Sequence, residues 1–383
     1  MNQTIRKTVK WLLCGGAFVA VIAITGCSRR SNVARTVEPI SDPYRAPAES
    51  TELFDKSDTA EASAPTVNIF GELDGKAQEN VKQLSEAGFQ QHTFVDEGYD
   101  ANVSVSPDGK WLVFASTRHS EHPDIYLQHA DGQSVIQLTA DESDDAYPTF
   151  SPDGKHIAFC STRNGSWDIY TMDVDGKNVT QVTSGPAQDL HPSFSPDGKR
   201  LVYSSMGPRS NQWEIWTVSL ATGEKKMIAF GLFPNWSPDK SVDRIAFQRA
   251  RQRGSRWFSL WTLDLIDGEA RRMTEVAMST NAAIVAPCWS TDGNKLAFGT
   301  IVDPAREKGD QPEGQQDIWT VNADGSNKQR LTDGTASNLS PVWANGGRIF
   351  FISNRGGNEC VWSAKADVEV NTAVTATDPK EGH

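Results

Sequence analysis

Ser151-Pro152-Asp153-Gly154-Lys155-His156-Ile157-Ala158-Phe159 is the stretch that decides the fold. Proline presets φ, aspartate bonds the local backbone and glycine takes φ > 0 cheaply, so Pro152-Asp153-Gly154 is a tight turn. The apolar run after it reads as a strand. Working outward, Pro148-Thr149-Phe150 is a strand before the turn and Arg163-Asn164-Gly165 is a second turn. Asp168-Ile169-Tyr170-Thr171-Met172 is a third strand, Asp173-Val174-Asp175-Gly176 turns again, and residues 179–183 form a fourth strand. Four strands joined by short turns make one antiparallel meander.

The phrase recurs. It stands intact at Ser106–Lys110 and Ser195–Lys199, and in worn form at Ser237-Pro238-Asp239-Lys240, Ser290-Thr291-Asp292-Gly293 and Ala344-Asn345-Gly346-Gly347. Successive starts lie 45, 44, 42, 53 and 54 residues apart. A period of roughly 40–50 residues made of strands and turns marks a radial β array. The strands after the phrase, such as Leu112-Val113-Phe114 and Leu201-Val202-Tyr203, are apolar without alternation, so both their faces are expected to be buried. Blades packed side by side bury them so, and Phe150, Phe194, Trp236, Trp289 and Trp343 fall in the same layer. The expectation is an all-β, six-bladed β-propeller of four-stranded antiparallel blades. Gln91-His92-Thr93 is expected to complete the last blade and close the ring, with Val368-Glu369-Val370 as the other candidate.

The Ser-Pro-Asp-Gly-Lys turn, the stretch Ser161–Tyr170 and the Asp-Val-Asp-Gly turn at 173–176 resemble the repeats of the TolB-type six-bladed β-propeller family. The resemblance covers about residues 90 to 365. In TolB proper it would imply docking of a peptidoglycan-associated lipoprotein on the propeller. TolB proper also carries a globular α/β domain before its propeller, and the stretch between Cys27 and Gln91 is too short for one. The resemblance is therefore to a TolB-like propeller lipoprotein.

The N-terminus carries an address. Arg6, Lys7 and Lys10 precede an apolar stretch, Trp11 to Ile24, that is short for a membrane span. It ends in Ile24-Thr25-Gly26-Cys27, which resembles a lipobox, with Cys27 as the lipidation site. Ser28 rather than aspartate follows, which suits cargo passed to the outer membrane. Residues 1–26 are read as a lipoprotein signal peptide, 27–73 as a flexible tether and 74–89 as a short helix. The propeller is read over 90–366 and a disordered tail over 367–383. The expected location is the bacterial cell envelope, lipid-anchored and facing the periplasm.

Net charge is −12, from 49 acidic and 37 basic residues, and there is no long basic block, which argues against nucleic acid as a partner. Nucleophile elbow, His-Glu-x-x-His, phosphate loop and Cys-x-x-Cys are all absent from the sequence. Of five cysteines, Cys160, Cys288 and Cys360 fall on strands of different blades and read as buried free thiols. The Asp-x-Asp-Gly turns read as hairpins rather than calcium loops. Arg118, Arg163 and Arg355 recur after the second strand, and with Asp124 and Asp168 they read as ion-paired braces within blades.

The starts of the innermost strands offer the candidate site. Asp100, Asp145, Asp189 and Asn338 recur three residues before the proline slot, and Asn102, Tyr147 and His191 one before it, with Asp144 adjacent. These are expected to gather at one channel mouth, point into water and bind a partner by charge focusing. The polar insertion 302–316 and the longer connection Glu275–Ile284 are expected to crowd the same rim. The functional expectation is a monomeric, non-catalytic scaffold that binds an envelope protein or a peptidoglycan-associated partner, without cofactor or metal. The alternatives are a polysaccharide lyase or hydrolase with a metal-assisted acid/base set around His191, and a small-molecule sensor.

Overall fold

The computed structural model describes residues 67–68, 88–207, 210–250, 258–279, 282–302 and 316–366. Six antiparallel sheets follow one another along the chain. The first blade comprises Asp100–Val105, Trp111–Ser116, Asp124–His129 and Val135–Gln137; the second Asp145–Phe150, His156–Ser161, Asp168–Asp173 and Thr180–Gln181. The third comprises Asp189–Phe194, Arg200–Met206, Trp213–Ser219 and Lys225–Phe230; the fourth Leu232–Trp236, Arg244–Ala250, Phe258–Ile266 and Glu269–Met278. The fifth is built from Ala282–Trp289, Lys295–Val302, Gln316–Asn322 and Gln329–Arg330. The sixth takes Asn338–Ala344, Arg348–Ser353 and Cys360–Lys365 from one end of the propeller and Gln90–Gln91 from the other.

The repeated turn is held by its own side chains. Ser106 Oγ donates to Asp108 Oδ1 at 2.6 Å, and Asp108 Oδ1 accepts the Lys110 N–H at 3.1 Å. Ser106 Oγ in turn accepts the N–H of Trp111, and Gly109 takes φ 75°. The same Ser–Asp bond recurs at Ser151–Asp153, Ser195–Asp197 and Ser290–Asp292. The loss of the serine in the sixth copy has a visible substitute: Asn345 Nδ2 donates to Pro107 O, tying the last turn to the first.

The second strands are buried on both faces, as their lack of alternation demands, with Leu112, Phe114, Ile157, Phe159, Phe247 and Phe298 fully enclosed. Adjacent blades are also stapled by polar side chains. Ser104 Oγ accepts the N–H of Phe150 in the next blade, Ser193 Oγ that of Trp236, and Asn235 Oδ1 that of Trp289. Each staple satisfies an inner-strand N–H that a blade alone would leave unpaired.

Ring closure follows the first of the two expected routes. Gln90 and Gln91 pair with Ser363 and Trp362, and the His92 N–H continues the contact to Val361 O. The candidate Val368–Val370 lies outside the described residues, as do the lipobox, most of the 302–316 insertion and the expected helix over 74–89 apart from Gly88 and Phe89, which are not helical. Two features depart from expectation. Val67–Asn68, inside the expected tether, pairs parallel with Ala277 and Met278 as a fifth strand on the fourth blade. The connection Glu275–Ile284 is not a rim loop: Glu275–Met278 continues an outer strand and Ala282 already begins the next inner strand.

Candidate functional site

Each inner strand begins at one face of the ring, and backbone bonds fix its first residue to the preceding blade. The N–H groups of Asp100, Asp145 and Asp189 donate to Glu359 O, Pro123 O and Trp167 O at 2.7–2.8 Å. The carboxylates recur at the starts of the inner strands, but they do not point into water. Asp100 and Asp145 are 0 % exposed and Asp189 is 5 % exposed, and Asn338 is fully buried as well. The expectation of a solvated acidic mouth is corrected on this point.

At Asp100 and Asp145 the carboxylate is met by an arginine of the same blade. Arg118 lies 2.9 Å from Asp100, and Arg163 lies 3.1 Å from both Asp145 and Asp141. Burial pushes the carboxyls of Asp100 and Asp145 up, and the arginine and neighbouring hydroxyls hold them down. Each guanidinium also stacks on two rings: Arg118 over Phe114 and Tyr126, Arg163 over Phe159 and Tyr170. The arginines therefore brace inner-strand carboxylates rather than Asp124 and Asp168, which was the expected pairing. Asp124 instead accepts from Gln137 and Thr139 of its outer strand, and its carboxyl is pushed up to about 6, chiefly by burial. Arg355 finds Asp333 at 3.0 Å, since the strand-start position of its blade is the amide Asn338.

One step inward, the residues before the proline slots form a ring of a different kind. Asn102, Tyr147, His191, Phe233, Ala286 and Ser340 all have φ between 48° and 58°. Each sits in a register shift of its inner strand. A left-handed conformation costs about 1–3 kcal/mol at a non-glycine residue and is most often met singly at functional sites. Here it recurs in every blade, so it belongs to the architecture. Bonds from the preceding blade hold it in place: Ser204 Oγ accepts the N–H of Phe233, and the Cys160 thiol accepts that of His191.

His191 is sandwiched in this ring, 4.4 Å from the Tyr147 ring centroid and 4.0 Å from that of Phe233. It is 7 % exposed, and neither ring nitrogen has a hydrogen-bond partner among the described residues. Burial alone pushes its pKa down to about 3. Asp144, by contrast, is half-buried and accepts from His122 Nδ1 at 2.7 Å, which raises the His122 pKa and links the first blade to the second at the rim. Among the described residues no three His, Cys, Asp or Glu side chains converge as a metal site. Burial raises Cys160, Cys288 and Cys360 above an ordinary thiol, with Cys288 at about 11, so these thiols stay protonated.

The sequence reading missed the hydroxyls that complete each carboxylate setting, Thr93 and Ser116 for Asp100, Thr139 and Ser161 for Asp145. The signal was present as the constant spacing of 18 residues from Asp100 to Arg118 and from Asp145 to Arg163.

A model of the TolB beta propeller domain matches residues 74–242, and one of the Tricorn protease N-terminal beta propeller domain matches residues 175–381. The chain belongs to this TolB- and tricorn-type family of six-bladed propellers. Among solved structures, a candidate TolB from Agrobacterium tumefaciens is similar with a TM-score of 0.51 at 20% identity, over 71% of this chain and 91% of that one. An oligogalacturonate lyase from Vibrio parahaemolyticus gives 0.49 at 15% identity, over 73% and 97%. TolB from Acinetobacter baumannii gives 0.47 at 18% identity, over 70% and 63%. At these identities the likeness of the TolB-type propeller to its neighbours is one of fold.

Proposed function

We propose that this TolB-like propeller is a non-catalytic scaffold of the bacterial cell envelope, anchored through lipid on Cys27, that docks a protein or peptidoglycan-associated partner at the channel mouth. One observation carries the reading. The inner strands present a rigid, chemically mixed ring of amide, phenol, imidazole, phenyl, methyl and hydroxyl groups, fixed by sixfold backbone geometry. A preorganised mixed surface suits recognition. As an acid/base group, His191 with a pKa near 3 stands far from neutral operating pH, so the lyase or hydrolase reading gains no support from it. Lipid anchoring and an outer-membrane location rest on the Ile24–Cys27 pattern and on Ser28.

The test is site-directed photo-cross-linking in intact cells. Probes replace Glu121 and Glu142 on the mouth rim, and Lys155 and Lys240 on the opposite face, all exposed. That opposite face carries a groove of about 600 Å³ lined by Asp153, His156, Asp197 and Lys240, and so is a fair competitor. A discrete partner captured from the rim alone supports the reading. Capture from the groove alone would move the site there.

A further inference from the structure

The inner-strand carboxylates of the first two blades share one setting with three walls. A threonine comes from the preceding outer strand, a serine from the second strand, and an arginine stands two residues beyond that serine. The third blade repeats the first two walls: Thr183 and Ser205 face Asp189. The third wall is missing, because the residue two beyond Ser205 is Gly207.

The rest of an arginine site is in place. In the first two blades the guanidinium lies over the ring pairs Phe114–Tyr126 and Phe159–Tyr170, each pair facing across the second and third strands. At the same register the third blade sets Tyr203 opposite Trp216. Glu214 adds a second carboxylate, accepting from Trp216 Nε1 at 2.9 Å. Position 207 has no side chain of its own, and the space a Cβ would take there is held by Ser210 Oγ and Glu214 Oε1.

Asp189 is thus a buried acid whose Oδ1 has no hydrogen-bond partner and which has no ion pair among the described residues. Lys225 acts on it only through space and is itself exposed. A buried carboxylate without its cation is costly, and a cation brought to it recovers that cost.

We propose that the niche over Asp189, between Tyr203, Trp216 and Glu214, receives a guanidinium in trans: an arginine side chain of the partner that docks at the mouth. It takes the place that Arg118 and Arg163 fill in their own blades. The proposal rests on the docking reading above and narrows it to an arginine-bearing partner. Arginine is favoured over lysine because its planar group both forks to a carboxylate and stacks on rings.

N-acetyl-arginine methylamide is titrated calorimetrically into the full-length protein, with N-acetyl-citrulline methylamide as the uncharged isostere. The expected result is saturable binding of the arginine compound and at least about tenfold weaker binding of the citrulline compound. Asp189→Asn, checked for wild-type circular dichroism, should abolish the difference. If that variant does not fold, Glu214→Gln should weaken arginine binding several-fold. Equal binding of the two compounds overturns the proposal, as does no binding at tens of millimolar. An Arg209→Gln arm guards against self-occupancy: arginine binding seen only in that variant assigns the niche to the chain's own Arg209 and sinks the reading in trans. Rim cross-links that persist while the arginine compound fails to bind would remove the niche and leave the docking reading intact. The reverse result would remove docking and leave the niche.

Discussion

The Nε2 of His92 stands 2.7 Å from the Oγ of Ser363, a residue 271 positions further along the chain. The other ring nitrogen, Nδ1, lies 2.8 Å from Ala130 O in the first blade. One buried imidazole therefore joins the closing strand to both the blade it completes and the blade it precedes. The Nδ1–H donates to the carbonyl, and Nε2 accepts from the serine hydroxyl.

His92→Ala should cost about 2–4 kcal/mol, since it removes packing on Phe350, takes away the acceptor of the Ser363 hydroxyl and leaves the Ala130 carbonyl without the imidazole donor. Urea denaturation at pH 7.5 measures it. A loss below about 0.5 kcal/mol would show that the clasp does not depend on this ring.

The pH dependence of His191 has a definite sign. Its folded pKa, about 3, lies below the ordinary 6.5, so the proton binds the unfolded chain first. Stability from the neutral ring is complete above 6.5 and is lost as pH falls toward 3. Asp124 runs the other way between 3.8 and about 6, so the wild-type curve alone mixes the two. The difference between His191→Phe and wild type isolates the histidine. It should move in favour of the variant by about 2 kcal/mol between pH 7.5 and pH 5. A flat difference would mean that the ring is protonated inside the fold.

Arg163→Met should destabilise by about 3 kcal/mol, because Asp145 is left buried beside an unpaired Asp141. Adding Asp145→Asn should restore part of that loss, giving a coupling of about 1–3 kcal/mol in a double-mutant cycle. Additive single effects would show that the two residues act independently. By the same physics, replacing Asp100 and Asp145 with asparagine is a test of the fold and not of partner binding.

Cys27→Ala should move the protein from the membrane fraction to the soluble fraction, or leave it unprocessed, because stable anchoring needs acyl chains. Fractionation and mass of the mature N-terminus read this out. Normal processing with unchanged membrane association would remove Cys27 as the attachment point.

The fold was legible because one turn phrase recurs and its chemistry is local: Ser, Asp and Gly act on residues within five positions of one another. The site was legible only in part. Asp100, Asp145 and Asp189 were found as a recurring set, but their burial depends on residues far off in sequence. Arg118 was paired by proximity with Asp124, while the sheet register sets Asp100 opposite Ser116 and so beside the arginine. The left-handed ring left no trace either. Tyr147 and Phe233 are bulky, and a proline follows each, so nothing local announces φ > 0 there. Connection length also misled at Glu275–Ile284, where extra residues lengthen two strands instead of a loop.

Because the sixth blade takes Gln90–Gln91 from the start of the propeller and Cys360–Lys365 from its end, it is the one blade whose four antiparallel strands do not come from contiguous sequence. The other five can nucleate as meanders while the chain is still being delivered; the sixth must wait for the last strand to arrive. Loop-closure entropy makes such distant pairing the slow event. Until it occurs, the strand Cys360–Lys365 presents a bare edge to whatever is nearby, including a second nascent copy. The clasp around His92 thus sets the refolding clock, and it marks the moment after which that strand no longer offers its edge for aggregation.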